Sequence, residues 1–146
     1  MADDEAHMRA ALRLAARGLG NTWPNPAVGC VLVKEGRVLA RGWTQPGGRP
    51  HAEAAALERA GAEAEGATAY VTLEPCSHYG RTPPCCDALI RAGVSRVVVA
   101  MRDPDARVDG RGLQRLRAAG ITVEEGLFGA EAARLNAGFL NRITKG

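Results

Sequence analysis

The sequence predicts one α/β domain, a three-layer α/β/α sandwich around a mixed five-stranded sheet. Three observations carry this prediction. The chain is 146 residues long, a length that fits one domain and buries a substantial core without covalent staples. Short apolar runs rich in valine alternate with single Ala/Leu/Arg-rich segments of helical period, the pattern of a largely parallel sheet covered on both faces. Two early apolar runs meet at Glu35-Gly36 and read as a β-hairpin, which adds an antiparallel pair.

Each element has its own signal. Residues 6–19 place Met8, Leu12, Ala15 and Leu19 on one helical face and Arg9, Arg13 and Arg17 on another. Asp3 or Asp4 is a candidate cap, and Gly18 and Gly20 are stop signals. Pro24 and Pro26 make Asn21 to Pro26 a loop. The hairpin strands follow at Ala27–Lys34 and Arg37–Gly42, and a Gly/Pro-rich loop from Thr44 to Pro50 leads into His51. Ala52 to Ala60 has helical composition, ending near Gly61 or running on to Gly66. Thr68–Leu73 reads as a buried strand. Pro83 and Pro84 open a helix through Ala92, since proline costs nothing at a first-turn position. Arg96–Met101 is a further buried strand, Arg111–Ala119 a helix stopped by Gly120, Ile121–Glu124 a strand, and Ala130–Arg142 a last helix.

Charge and cysteine usage narrow the function classes. The net charge of +3 comes from scattered basic residues. That suits a small anionic ligand and not a nucleic-acid partner, which calls for a denser basic face. No apolar run approaches the ~18 residues of a membrane span. The acidic start, Met1-Ala2-Asp3-Asp4-Glu5, lacks the apolar core of a secretory signal. A cytoplasmic location is therefore expected. Reduced thiols there make the four cysteines candidates for metal binding or catalysis before disulfides.

Three segments supply the chemistry: His51-Ala52-Glu53, Glu74-Pro75-Cys76 and Pro84-Cys85. They follow the His-x-Glu…Pro-Cys-x-x-Cys pattern of zinc-dependent nucleobase deaminases, with eight residues between Cys76 and Cys85 in place of two. Taken singly, such a histidine, glutamate or cysteine is more often an ordinary polar or packing residue. Their joint order, with proline before both thiols, points to zinc. His51, Cys76 and Cys85 are the candidate ligands, three in number as a catalytic site requires. Glu53, two residues from His51, is the candidate catalytic proton carrier. Helix N-termini at His51 and Cys85 would favour the thiolate form of the cysteines. Cys85 follows proline directly and is the expected ligand, while Cys86, roughly 100° round a helix, is expected to pack. Cys30 is expected in the core, with a place on the pocket wall as the alternative.

The stretch from Thr72 to Cys85, Thr-Leu-Glu-Pro-Cys-Ser-His-Tyr-Gly-Arg-Thr-Pro-Pro-Cys, closely resembles the deaminase domain of the bifunctional riboflavin-biosynthesis deaminase–reductases. Pro24-Asn25-Pro26, Val28-Gly29, Met101-Arg102-Asp103-Pro104, Gly110-Arg111-Gly112 and Leu135-Asn136-x-x-Phe139 resemble that family in order and spacing. The resemblance implies a cytidine-deaminase-like fold and a Zn2+ cofactor. It implies hydrolytic removal of the 2-amino group from 2,5-diamino-6-(5-phosphoribosylamino)pyrimidin-4(3H)-one, with metal-activated water attacking and Glu53 moving the protons. The expected partner is thus a small phosphorylated pyrimidine.

By position, Asn25 would bind the pyrimidine edge, and His78, Arg81 and Thr82 the ribose and phosphate. Some members have histidine where this chain has Thr44, which keeps hydrogen bonding at that substrate-binding position but no charge. The family's second domain, an NADPH-dependent reductase, has no counterpart before Gly146, so a reductase domain or protein is an expected partner. Deaminases of this fold commonly associate through sheet-covering helices, so a homo-oligomer is expected as well. The competing readings are another zinc deaminase acting on cytosine, guanine or tRNA adenosine, and a non-catalytic zinc-stabilised domain with His78 as fourth ligand.

Overall fold

In the computed structural model, which describes residues 2–19, 26–76, 85–103 and 110–137, the chain follows the predicted order of elements. These are α1 (Ala2–Ala16), β1 (Gly29–Lys34), β2 (Arg37–Trp43), α2 (Ala52–Ala60), β3 (Thr68–Val71), α3 (Cys85–Ala92), β4 (Arg96–Val99), α4 (Arg111–Ala118), β5 (Thr122–Glu125) and α5 (Gly129–Leu135). The strands form one sheet in the order β2-β1-β3-β4-β5. β1 pairs antiparallel with both β2 and β3, while β3–β4 and β4–β5 are parallel. β2 and β3 therefore run the same way with β1 between them, and α2 is the crossover joining them.

The hairpin has a two-residue turn, with Lys34 opposite Arg37. Glu35 and Gly36 both have positive φ, 53° and 76°, the backbone of a type I′ turn whose twist matches the strands. Alternation along the central strands divides the core into two layers. Cys30, Leu32, Ala69, Val71, Val97 and Val99 face one side with Ala52, Ala56, Leu89, Leu113 and Leu116 from α2, α3 and α4. Val31, Val33, Tyr70 and Val98 face the other with Met8, Ala11, Leu14 and Ala132 from α1 and α5. This is the predicted three-layer sandwich.

Element boundaries differ from the sequence reading for identifiable reasons. α1 begins at Ala2, four residues earlier than expected, so Asp3, Asp4 and Glu5 occupy its first turn, where negative charge suits the helix dipole. Asp4 is not a cap. It accepts two bonds from the Arg96 guanidinium at 3.0 and 2.6 Å and one from the Tyr70 hydroxyl at 2.5 Å. β3 stops at Val71 because Thr72 turns inward to Gly29: the Gly29 N–H donates to Thr72 Oγ1 at 3.1 Å and the Thr72 N–H to Gly29 O at 3.1 Å. Strand β5 is displaced by one residue from its expected span, to Thr122–Glu125. The part of the last helix expected beyond residue 137 lies outside the described residues.

One close approach fixes α2 against the sheet. A Cβ on Gly42 of β2 would lie 2.3 Å from Ala52 O and 2.7 Å from Ala56 N. Glycine at that position lets the first turns of α2 rest on the strand, and those turns carry His51 and Glu53.

Candidate active site

The site forms beyond the C-terminal end of β3, where open α/β sheets hold their ligands. His51 is the N-cap of α2, with extended backbone (φ −69°, ψ 161°), and its carbonyl accepts the Ala55 N–H at 3.0 Å. The imidazole does not cap the helix, and its Nδ1 lies 3.4 Å from Cys85 Sγ. Cys76 follows the buried Glu74-Pro75 pair, and Cys85 is the first residue of α3. The N-terminus of α3 is turned onto Cys76: the Cys85 N–H donates to Cys76 Sγ at 3.1 Å, and the Cys86 N–H to Cys76 O at 3.1 Å. The candidate donor atoms of His51, Cys76 and Cys85 all lie within 4.8 Å of one another.

The electrostatics fit a divalent cation. A hydrogen bond from the Cys85 thiol, aided by His51 and the Cys85 N–H, lowers the Cys76 thiol to about 4 against the opposing effect of burial. Cys76 is thus a ready thiolate. The Cys85 thiol is held high because it donates to Cys76 and is buried. The His51 imidazole is shifted upward, chiefly by its hydrogen bond with Cys76. Two sulfurs and one imidazole therefore compete for protons at a single point. That is the soft N/S donor set zinc selects, and binding there would release the remaining protons.

Glu53, in the first turn of α2, is 4% exposed. Burial, then the Cys76 charge, pushes its carboxyl up to about 7, against the opposing charge of His51. Glu53 thus lies within electrostatic reach of Cys76 and His51.

The other predicted residues divide. Cys86 is a packing residue, as expected: its Sγ contacts Pro75 O at 3.3 Å and Gly112 O at 3.5 Å. Burial holds its thiol far above the ordinary range. Cys30 is fully buried in the layer beneath α2 and is held high by burial and by the Glu53 charge. Thr44 is buried with its hydroxyl accepting the Val28 N–H at 3.0 Å, and the Thr44 N–H donates to Val28 O at 3.0 Å. Asn25, His78, Arg81 and Thr82 lie outside the described residues.

Two further residues had no assigned role in the sequence reading. Glu74 is a buried carboxylate receiving backbone N–H groups from α4 and the chain before it. Its signal was a lone acid directly after an apolar strand. Asn136 clamps Ala27, accepting its N–H at 2.9 Å and donating to its carbonyl at 2.7 Å. Nothing in local spacing links positions 109 apart.

The cytidine and deoxycytidylate deaminase zinc-binding region matches residues 1–101. The chain belongs to that family of zinc-binding deaminases. Riboflavin biosynthesis protein RibD of Escherichia coli (strain K12) is 61% identical over 98% of this chain and 39% of its own length. The diaminohydroxyphosphoribosylamino-pyrimidine deaminase of Buchnera aphidicola subsp. Acyrthosiphon pisum is 46% identical over 99% of this chain and 98% of its own. A solved structure from Thermotoga maritima, a diaminohydroxyphosphoribosylaminopyrimidine deaminase/5-amino-6-(5-phosphoribosylamino)uracil reductase, superposes with a TM-score of 0.92 at 45% identity, covering 97% of this chain and 41% of that one. Within the family, the chain falls among the RibD deaminases. It spans about two fifths of the E. coli and T. maritima proteins and nearly all of the Buchnera one.

Proposed function

We propose that this chain hydrolyses the 2-amino group of 2,5-diamino-6-(5-phosphoribosylamino)pyrimidin-4(3H)-one, releasing ammonia and 5-amino-6-(5-phosphoribosylamino)uracil in riboflavin biosynthesis. The observation that carries this reading is the convergence of the His51, Cys76 and Cys85 donor atoms within 4.8 Å of one another, with the buried Glu53 carboxyl in the adjoining first turn of α2. Similarity to the Buchnera deaminase over 98% of that protein's length supports it.

His51, Cys76 and Cys85 would hold zinc, which when bound supplies a Lewis acid and lowers the pKa of water. Glu53 does the proton work. It accepts a proton from the attacking water and places it on the ring nitrogen beside the amino-bearing carbon. It then takes the second proton from the hydroxyl added to that carbon and delivers it to the departing amine, which leaves as ammonia while the carbon becomes a carbonyl. Its burial keeps bulk water from competing for those protons and strengthens each interaction that develops with the transition state.

Asn25 reads the pyrimidine edge, and His78, Arg81 and Thr82 bind ribose and phosphate. Thr44, engaged with the Val28 backbone, serves this site by fixing the strand entrance that follows Asn25. A reductase acting on the product is the natural partner, an activity named for the T. maritima relative.

An ammonia-release assay on the diaminopyrimidinone ribotide, run beside cytidine and guanine, tests the reading. Turnover of the ribotide alone is expected, and release from cytidine or guanine in its place would refute the substrate assignment. Arg81→Ala is expected to raise KM for the phosphorylated substrate with little change in kcat. An unchanged KM would remove Arg81 from the phosphate site.

A further inference from the structure

Glu74 stands two residues before Cys76, yet the proton and metal chemistry gives it no part. It is 4% exposed, and both of its oxygens are occupied by backbone donors. Oε1 accepts the N–H of Asp103 at 3.1 Å and of Gly110 at 2.9 Å. Oε2 accepts the N–H of Gly112 at 2.8 Å and of Leu113 at 3.4 Å. Gly110 is the N-cap of α4 and has no side chain with which to cap it. Glu74 therefore supplies the cap from another element, with its charge at the positive end of the helix.

The backbone that follows is held just as closely. The Glu74 N–H donates to Met101 O at 3.0 Å. A Cβ on Gly112 would lie 2.3 Å from Pro75 O, so α4 rests directly on the peptide preceding Cys76. The Cys86 N–H takes Cys76 O on the other side. The stretch from Glu74 to Cys76 is thus wedged between the first turns of α3 and α4.

Capping alone does not require an ionised acid at this place. Burying a carboxylate adds a desolvation cost that a neutral cap would not. What the carboxylate does that a neutral cap does not is accept four donors from two separate stretches of chain at one point beside a metal ligand. We propose that Glu74 is a positioning residue of the zinc site, whose carboxylate locks Pro75 and Cys76 against α4 and so sets the aim of the Cys76 sulfur. This rests on the zinc reading above.

Glu74→Gln keeps the shape but turns an amide NH2 toward backbone N–H groups. The measurements are the zinc dissociation constant by chelator competition and the electronic spectrum of the cobalt(II)-substituted protein. Asp4→Asn, which loosens the opposite end of the parallel strands, is the control for lost stability alone. Glu74→Gln is expected to weaken zinc 10- to 100-fold, as losing a partner that orients a ligand does. It should also shift the cobalt bands, while Asp4→Asn changes neither. Wild-type zinc affinity and an unaltered cobalt spectrum in Glu74→Gln would overturn the proposal even if its Tm falls. Should Glu74→Gln not fold, Glu74→Asp keeps the charge and withdraws it by one methylene. A wild-type spectrum there would overturn the proposal equally. Failure of the unmutated protein to take up zinc would instead refute the zinc reading itself.

Discussion

Gly42→Ala tests whether the sheet sets the position of α2. The backbone of Gly42 lies outside the positive-φ set, so alanine there adds a methyl group without backbone strain. That methyl would stand 2.3 Å from Ala52 O, 2.7 Å from Ala56 N and 3.2 Å from Ala55 Cβ. All three belong to α2, and two are backbone atoms that cannot rotate away. Opening 2.3 Å to the 3.0 Å floor of real Cβ contacts moves the helix by about 0.7 Å. Overpacking of this kind costs about 1–3 kcal/mol. His51 and Glu53 ride on the displaced turn, and a misplacement approaching 1 Å costs on the order of 10–100-fold in turnover. Urea denaturation of the zinc-loaded protein and the ammonia-release assay read the two effects. A stability loss under about 0.5 kcal/mol with wild-type kcat would show that this contact does not hold α2, and the reasoning would fail.

Glu53→Gln is expected to retain zinc and the fold while losing about 10²–10⁴-fold in kcat; normal ammonia release would eliminate the proton shuttle. The Asp4 carboxyl is held far below the usual carboxylate range by Arg96. Its contribution is therefore complete above an unfolded value of about 3.9 and is lost as pH falls toward the folded one. Asp4→Asn should lower Tm at pH 7 by the few degrees that about 1 kcal/mol represents. That gap should narrow in strong acid, and a gap that widens there would contradict the sign. Asn136→Ala leaves both polar groups of Ala27 without their partner and should cost about 1–3 kcal/mol in denaturant titration. A neutral result would mean that water replaces the clamp.

The sandwich was legible because buried strands and amphipathic helices leave different periods in the sequence, and valine runs such as Val97-Val98-Val99 have few other uses. The metal trio was legible because donor chemistry restricts which residue types can serve, so His51, Cys76 and Cys85 mark themselves. Less was legible where a side chain acts at a distance. Asp4 looked like a cap and is instead the partner of Arg96 and Tyr70, because a carboxylate in a first turn satisfies local and tertiary demands equally well. The four donors around Glu74 and the Asn136 clamp depend on where separate elements come to rest, and residue spacing carries no trace of that. The antiparallel pairing of β1 with β3 was likewise hidden: a hairpin announces its own turn but not which of its strands will face inward.

That pairing has a practical side. Because Cys30 lies opposite Val71 and Val33 opposite Thr68, the hairpin's tip points away from the His51–Cys76–Cys85 cluster by the length of a strand, roughly 13–17 Å. A fluorophore or surface tether attached at Glu35 would accordingly report on tumbling and association of the molecule while leaving its chemistry untouched.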